Sequence, residues 1–234
     1  MLKKRLIPQL LINRDRLIKT FKFSKERYIG DPLNAVSIFN EKKADELFII
    51  DIYRSYLKKK PDFEYIGNLA SECFMPFGYG GAINNLDTAK KIFDLGVEKV
   101  ILQSGAFNTP SLITEIAKIY GSQSVVLSMD IKKNLFGKAY ISAKNFNIEK
   151  SKKIKEHIKN FIDLGVGEIV INSTYLEGTF NGLDLNLLTD LKKFCSIPLL
   201  INGGLNSLEN AKKAFTLGAD GVVAGSYFVF YGKH

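Results

Sequence analysis

Short apolar runs alternate with amphipathic stretches along the whole chain, the pattern of βα units folded around a parallel sheet. Eight runs read as strands: residues 5–12, 46–52, 74–80, 99–103, 124–130, 168–173, 197–202 and 221–226. Between them lie helical segments such as residues 86–96, where Ala89, Ile92, Phe93 and Leu95 fall on one face. Eight strand–helix units are more than most doubly wound sheets use. They predict an α/β fold, a (β/α)₈ or TIM barrel, with residues 1–234 as one domain.

An internal repeat supports closure. The stretch from residue 88 to 107 aligns without gaps on residues 210–229, matching Ala89 with Ala211, Phe93 with Phe215, Gly96 with Gly218 and Val100 with Val222. The same offset sets residues 45–52 against 167–174, while the pairs Gly80-Gly81 and Gly203-Gly204 match one residue out of step. The spacing describes two duplicated half-barrels rather than a solenoid. Two stretches depart from it. Residues 13–32 form a long connection that reads as a substrate-covering loop, although the alternation of Leu17 and Phe21 also suits a small hairpin. Only eight residues follow Ser226, too few for a closing helix of ordinary length, so the final helix is expected to be short or missing, or another element to cover the last strand.

The length of 234 residues suits a barrel, which typically takes about 250. A hydrophobic share of 46% and a charged share of 24% are those of an ordinary globular domain. No stretch approaches the ~18 apolar residues of a membrane span, and the first apolar run is too short for a signal peptide, so a cytoplasmic protein with no membrane partner is expected. The net charge of +9 comes from lysines scattered in pairs such as Lys90-Lys91 and Lys212-Lys213 on predicted helices. No aromatic-interleaved basic stripe accompanies them, so nucleic acid is not the expected partner. Cys73 and Cys195 lack metal-ligand spacing and read as buried thiols; no metal and no cofactor are expected.

In a parallel barrel the reactive face lies at the strands' C-terminal ends. Two nearly equivalent glycine-rich sites fall there: Gly80, Gly81 and Ser104 in one half, and Gly203, Gly204, Gly225 and Ser226 in the other. Glycine lets backbone N–H groups approach an anion closely, and two copies on opposite sides suggest a long ligand with an anionic group at each end. A lone glycine pair would equally make a tight turn. Between these sites stand Asp51, Asp130 and Glu177, candidates for substrate contact or general acid–base work, with Lys19 as a phosphate or oxyanion partner. The alternative for Asp130 is a salt bridge to Lys132 or Lys133. At the opposite face Arg5, Glu46, Lys99 and Glu168 begin four strands, and their spacing describes a salt-bridge ring covering the core.

These residues also carry a family likeness. Gly30-Asp31-Pro32, Asp45-Glu46-Leu47, the glycine pairs, Glu98-Lys99-Val100, residues 110–113 and 121–126, Gly167-Glu168-Ile169, Glu177-Gly178-Thr179 and Gly218-Ala219-Asp220 resemble the cyclase (HisF-type) subunit of imidazole glycerol phosphate synthase, from Met1 to about Ser226. The resemblance implies a carbon–nitrogen lyase or synthase of histidine biosynthesis, paired as a heterodimer with a glutamine amidotransferase whose ammonia crosses the barrel to a phosphorylated substrate. It makes Arg5, Glu46, Lys99 and Glu168 the ammonia gate, Asp130 one of two catalytic aspartates, and Lys19 the loop lysine. The other catalytic aspartate falls on Leu11, which can neither give nor take a proton. Gln9, Asn172, Glu177 and Asn202 also depart from the family's usual residues. HisF-like paralogues from surface-polysaccharide gene clusters, which have a similar start, imply a second activity, amination of a sugar's acetamido group to an amidine. A non-catalytic barrel that scaffolds a glutaminase is a third reading.

Overall fold

The computed structural model describes residues 3–22, 24–57, 59–142 and 153–230. Its strands in chain order are β1 (Arg5–Asn13), β2 (Arg16–Phe21), β3 (Ser24–Gly30), β4 (Leu47–Asp51), β5 (Phe77–Gly80), β6 (Lys99–Leu102), β7 (Val125–Lys133), β8 (Ala139–Ile141), β9 (Glu168–Ser173), β10 (Leu199–Asn202) and β11 (Gly221–Ala224). Eight of them pair in parallel in the order β1-β4-β5-β6-β7-β9-β10-β11. Val223 of β11 stands opposite Ile7 of β1, which closes the barrel. The eight apolar runs are the eight barrel strands.

Alternation along each strand divides the core in two. Ile7, Phe48, Ile101, Val126, Val170, Leu200 and Val223 point inward and fill the barrel. Leu10, Ile12, Ile49, Val100, Leu127, Ile171 and Val222 point outward under the helices. The Phe48 ring takes its interior room from the neighbouring strand: a Cβ on Gly78 would stand 2.8 Å from it.

The helices are α1 (Pro32–Glu41), α2 (Ile52–Tyr56), α3 (Phe63–Glu72), α4 (Leu86–Asp94), α5 (Ser104–Asn108), α6 (Ser111–Tyr120), α7 (Ile154–Asp163), α8 (Leu185–Lys192), α9 (Leu208–Thr216) and α10 (Ser226–Phe230). The duplication reaches their caps. Asn85 accepts from the Thr88 amide at the start of α4, and Ser207, at the repeat offset, accepts from the Asn210 amide at the start of α9. Cys73 and Cys195 share that offset too; each thiol faces the carbonyl two residues on, at 3.4 and 3.3 Å. Cys195 is buried, whereas Cys73 is only half-buried, less than its apolar neighbours suggested.

The structure decides two open expectations and extends one strand. The connection after β1 is an antiparallel ribbon, not a loop: β2 pairs back on β1 and β3 on β2. β7 runs three residues beyond the predicted strand because β8 folds back on it, Lys132 opposite Tyr140. The closing helix exists but is short. Tyr227 of α10 is buried, and Phe228 meets Phe39 of α1 edge-on at 6.2 Å, so α1 packs against the short closing helix.

Candidate functional site

All the strand-end residues singled out in the sequence converge on one cavity of about 1240 Å³ at the barrel's C-terminal mouth. Gly80, Gly81, Ser104, Asp51, Asp130, Glu177, Lys19, Gly203, Gly204, Gly225 and Ser226 line it, together with Gln9, Leu11, Asn172 and Asn202.

The glycines are dictated by backbone crowding. Gly81 and Gly203, at φ 141° and 104°, each press on the end of the preceding strand. A Cβ there would come within 2.6 Å of the Asp51 carbonyl in one half and of the Ser173 carbonyl in the other. The two positions match at the repeat offset, so the structure brings the halves into step where the glycine pairs had seemed one residue out. Ala82 then occupies the place of Gly204, and both have positive φ, 54° and 88°. Gly225 answers a different demand: the Lys19 ammonium passes directly over it, where any Cβ would collide.

Lys19 comes from β2 and is 6% exposed. Its Nζ lies 3.6 Å from Glu177 Oε1. Burial pulls its pKa below the usual lysine value, and Glu177 only partly restores it. Glu177 also meets the Thr20 hydroxyl at 3.3 Å and accepts the Lys22 amide on its carbonyl, which ties the β2–β3 ribbon to the loop after β9. Asp51 is less free than its strand-end place implied. Its Oδ1 accepts the Arg54 amide at 2.9 Å and the Tyr79 hydroxyl reaches Oδ2 at 3.4 Å, so it holds the turn from β4 into α2; burial raises its pKa.

Asp130 stands on the inward face of β7. Asn172 Nδ2 donates to its Oδ1 at 3.0 Å and to Ser128 Oγ at 2.7 Å. Asn202 Nδ2 donates in turn to Asn172 Oδ1 at 2.9 Å and to Gln9 Oε1 at 3.3 Å. A chain of carboxamides therefore crosses the mouth from β7 to β1. Ser128 was not singled out in the sequence; its place two residues before Asp130, on the same strand face, is the signal that finds it. Of the two lysines weighed as partners for Asp130, Lys133 pairs with Asp184 instead.

Strand register fixes what faces Asp130. Asp130 and Ile131 stand opposite Asn172 and Ser173, and Leu11 and Ile12 opposite Ile50 and Asp51. The repeat equates Asp51 with Ser173, so Leu11 is the counterpart of Asp130 in the other half. At this level the two halves present one carboxylate and one aliphatic side chain.

At the other end of the barrel the four charges form a closed ring. Arg5 meets Glu46 at 2.6 Å and also pairs with Glu168, while Lys99 meets Glu46 at 2.6 Å and Glu168 at 3.1 Å. Burial works against the Arg5 guanidinium, yet the two carboxylates hold its pKa above the usual value; burial raises that of Glu46. Among the described residues no cluster of His, Cys, Asp and Glu is placed to hold a metal ion.

Phosphate or sulfate soaked into crystals is expected at two places, beside Gly81 and Ser104 and beside Gly204 and Ser226. The second lies under Lys19, whose depressed pKa an anion would raise. Binding there should therefore take up a proton at alkaline pH, seen as buffer-dependent heat in calorimetry. Density at neither place would remove the anion reading.

The fold and site together define a duplicated (β/α)₈ barrel with a polar, glycine-edged mouth and an ion-pair ring at its base. The model of the histidine biosynthesis protein family matches residues 5–234, and the chain belongs to that family. Proteins from Leptospira borgpetersenii and Leptospira interrogans, which carry the provisional name imidazole glycerol phosphate synthase subunit HisF, are 44% and 45% identical to it over 236 residues, covering all of this chain and 93% of each relative. The imidazole glycerol phosphate synthase subunit HisF of Exiguobacterium sibiricum is 32% identical over 97% of this chain and 91% of its own length.

Proposed function

We propose that this chain is a HisF-type synthase subunit, which receives ammonia from a glutamine amidotransferase and forms a C–N bond on a phosphorylated substrate. The observation that carries the reading is the alignment of two features on one barrel axis. A closed ring of Arg5, Glu46, Lys99 and Glu168 covers the base, and a cavity holding Asp130 opens at the mouth. Both carboxylates of the ring are shared between the same two cations, so ammonia entering from below would have to part ion pairs that otherwise seal the barrel. At the mouth, backbone N–H groups around Gly81 and Gly204 hold the substrate's phosphates, with Lys19 adding charge at the second. Asp130 takes the proton that the attacking nitrogen sheds. Glutamine amidotransferase and glutamine supplied together should support turnover that ammonium alone also supports at higher concentration; failure of both removes the reading.

The partner docks on the N-terminal face. Glu98 is exposed there beside the ring residue Lys99 and lines a shallow groove with Phe93, Tyr120 and Gln123. Glu98→Lys should weaken complex formation and glutamine-dependent turnover by about tenfold or more, since reversing one interfacial charge costs of order 1–3 kcal/mol. Turnover with free ammonium should not change. Unaltered binding by titration calorimetry would place the partner elsewhere.

A specific observation favours a second acceptor over the histidine-pathway bisphosphate. Leu11 removes the acid that a two-ended ring closure needs, and carboxamides from Gln9, Asn172 and Asn202 occupy the space between the halves. Neutral hydrogen-bonding groups suit a neutral acceptor such as a sugar acetamido group, which amination converts to an amidine. Incubation with ammonium and each acceptor in turn, read by product mass, separates the two.

A further inference from the structure

We propose that Gln9 is a catalytic residue of this site: its side-chain N–H stabilises the oxyanion that forms when ammonia adds to the acceptor's carbonyl carbon. The proposal rests on the ammonia-transfer reading above and adds to it the group that answers Asp130 from the opposite side of the mouth.

The polarity of the carboxamide chain decides the matter. An ionised carboxylate only accepts hydrogen bonds, so Asn172 must turn its NH₂ toward Asp130, and that NH₂ also meets Ser128. Asn172 Oδ1 is thereby left facing Asn202, which must present its own NH₂. The same NH₂ reaches Gln9, which must answer with its oxygen. Each carboxamide fixes the next, and the charge on Asp130 sets the direction of all three. The last consequence falls on Gln9: with Oε1 committed to Asn202, its Nε2 has no partner among the described residues, although the side chain lines the cavity. A donor is thus held on β1, two residues before Leu11 and on the same inward face, in the half of the barrel that lacks its acid.

The chemistry suits a donor that is not an acid. The ammonia lone pair attacks the carbonyl carbon, the N–C bond forms, and the π pair of the C=O bond moves onto oxygen. Gln9 donates a hydrogen bond to that oxygen without giving up its proton. The proton shed by nitrogen goes to the Asp130 carboxylate, which passes it to the oxygen and leaves a neutral carbinolamine. That hydroxyl then departs as water with a second proton from nitrogen, and the C=N bond forms. No redox partner and no net proton are required. A donor aimed where negative charge develops, in a site already oriented, is among the larger catalytic contributions a side chain makes.

Gln9→Glu is the informative variant, because it keeps the shape and the oxygen that Asn202 needs and replaces the donor with a titratable, negatively charged oxygen. Turnover is measured with saturating ammonium and whichever acceptor, bisphosphate or N-acetylated nucleotide sugar, the unsubstituted chain aminates. We expect kcat to fall by about 10²–10³ while KM for the acceptor stays within about threefold. The loss should shrink, relative to the unsubstituted chain at the same pH, as pH falls and the new carboxyl regains an O–H. A merely structural role for Gln9 would not produce that recovery. Gln9→Met, which also loses the Asn202 contact, should be no more active. Turnover by Gln9→Glu within about threefold of the original, or a rise in KM at unchanged kcat, would overturn the proposal alone. Absence of turnover by the unsubstituted chain with either acceptor would overturn the ammonia-transfer reading and this proposal with it.

Discussion

Asp130→Asn should lower amination by about 10²–10⁴ while leaving anion binding at both glycine sites nearly unchanged. The size follows from the loss of a general base, and the selectivity from geometry. Asp130 stands on β7, whereas the backbone proposed to bind phosphate belongs to the turns after β5, β6, β10 and β11. Asparagine fits the space, but it brings an NH₂ that can face the NH₂ of Asn172 where a carboxylate oxygen accepted it. The carboxamide chain must then rotate or break, so part of the loss comes from disorder in Asn172 and Asn202. Steady-state rates together with phosphate calorimetry check the prediction; equal loss of binding and rate would make Asp130 a structural residue.

The second large effect concerns the absent acid. Given ammonium and the histidine-pathway bisphosphate, the unmodified chain should bind that ligand but cyclise it poorly. Closing a ring between two ends of a substrate calls for two groups whose protonation states differ, and β1 offers Leu11 where β7 offers Asp130. Leu11→Asp should raise cyclisation by about tenfold or more, short of the full 10²–10⁴ that a well-placed acid supplies, because Gln9 and Asn202 still fill the space around it. Stability should fall with the same change. Leu11 is 8% exposed, and a carboxylate there must be hydrated from the cavity. Efficient cyclisation by the unmodified chain would mean that another group already fills the role.

The barrel was legible in the sequence because its signals are local. Each strand is a short apolar run between helical segments, and the duplication shows as identical residues at one offset. The basal ring was legible for a related reason: a charged residue at the start of a buried strand has few places to go, and four of them meet. Glu46 and Glu168 could be placed from one strand each.

What stayed hidden was set by pairing between distant segments. The alternation between Arg16 and Gly30 suits a ribbon or a mobile loop equally, and only its union with β1 and the Glu177 contacts decides for the ribbon. Asp51 read as a site acid because a strand-end aspartate points to chemistry. The helix that begins at the very next residue claims one of its oxygens. The carboxamide chain joins Gln9 to Asn202, at opposite ends of the sequence, through Asn172. Nothing in the spacing of those three residues announces a connection. They drew notice singly, as departures from the family, and the structure joins them through shared hydrogen bonds.

The two halves of this barrel have not diverged evenly. At the base the carboxylates and thiols agree: Glu46 and Glu168 occupy equivalent strand starts, and the Cys73 and Cys195 thiols make the same contact. The cations do not, since Arg5 and Lys99 have Ser124 and Gly221 as counterparts. At the mouth Gly81 matches Gly203 and Ser104 matches Ser226, but the inward strand faces differ, with Leu11 against Asp130, Ile50 against Asn172 and Gln9 against Ser128. The asymmetry therefore lies in single inward-facing side chains at both ends of the barrel, while the turns that frame the mouth keep their twofold match. Matched turns around unmatched strand faces give the mouth a handedness that a symmetric barrel lacks. On the ammonia-transfer reading proposed above, a substrate with similar groups at both ends would have only one productive way to lie across it, with its reacting carbon turned toward β7.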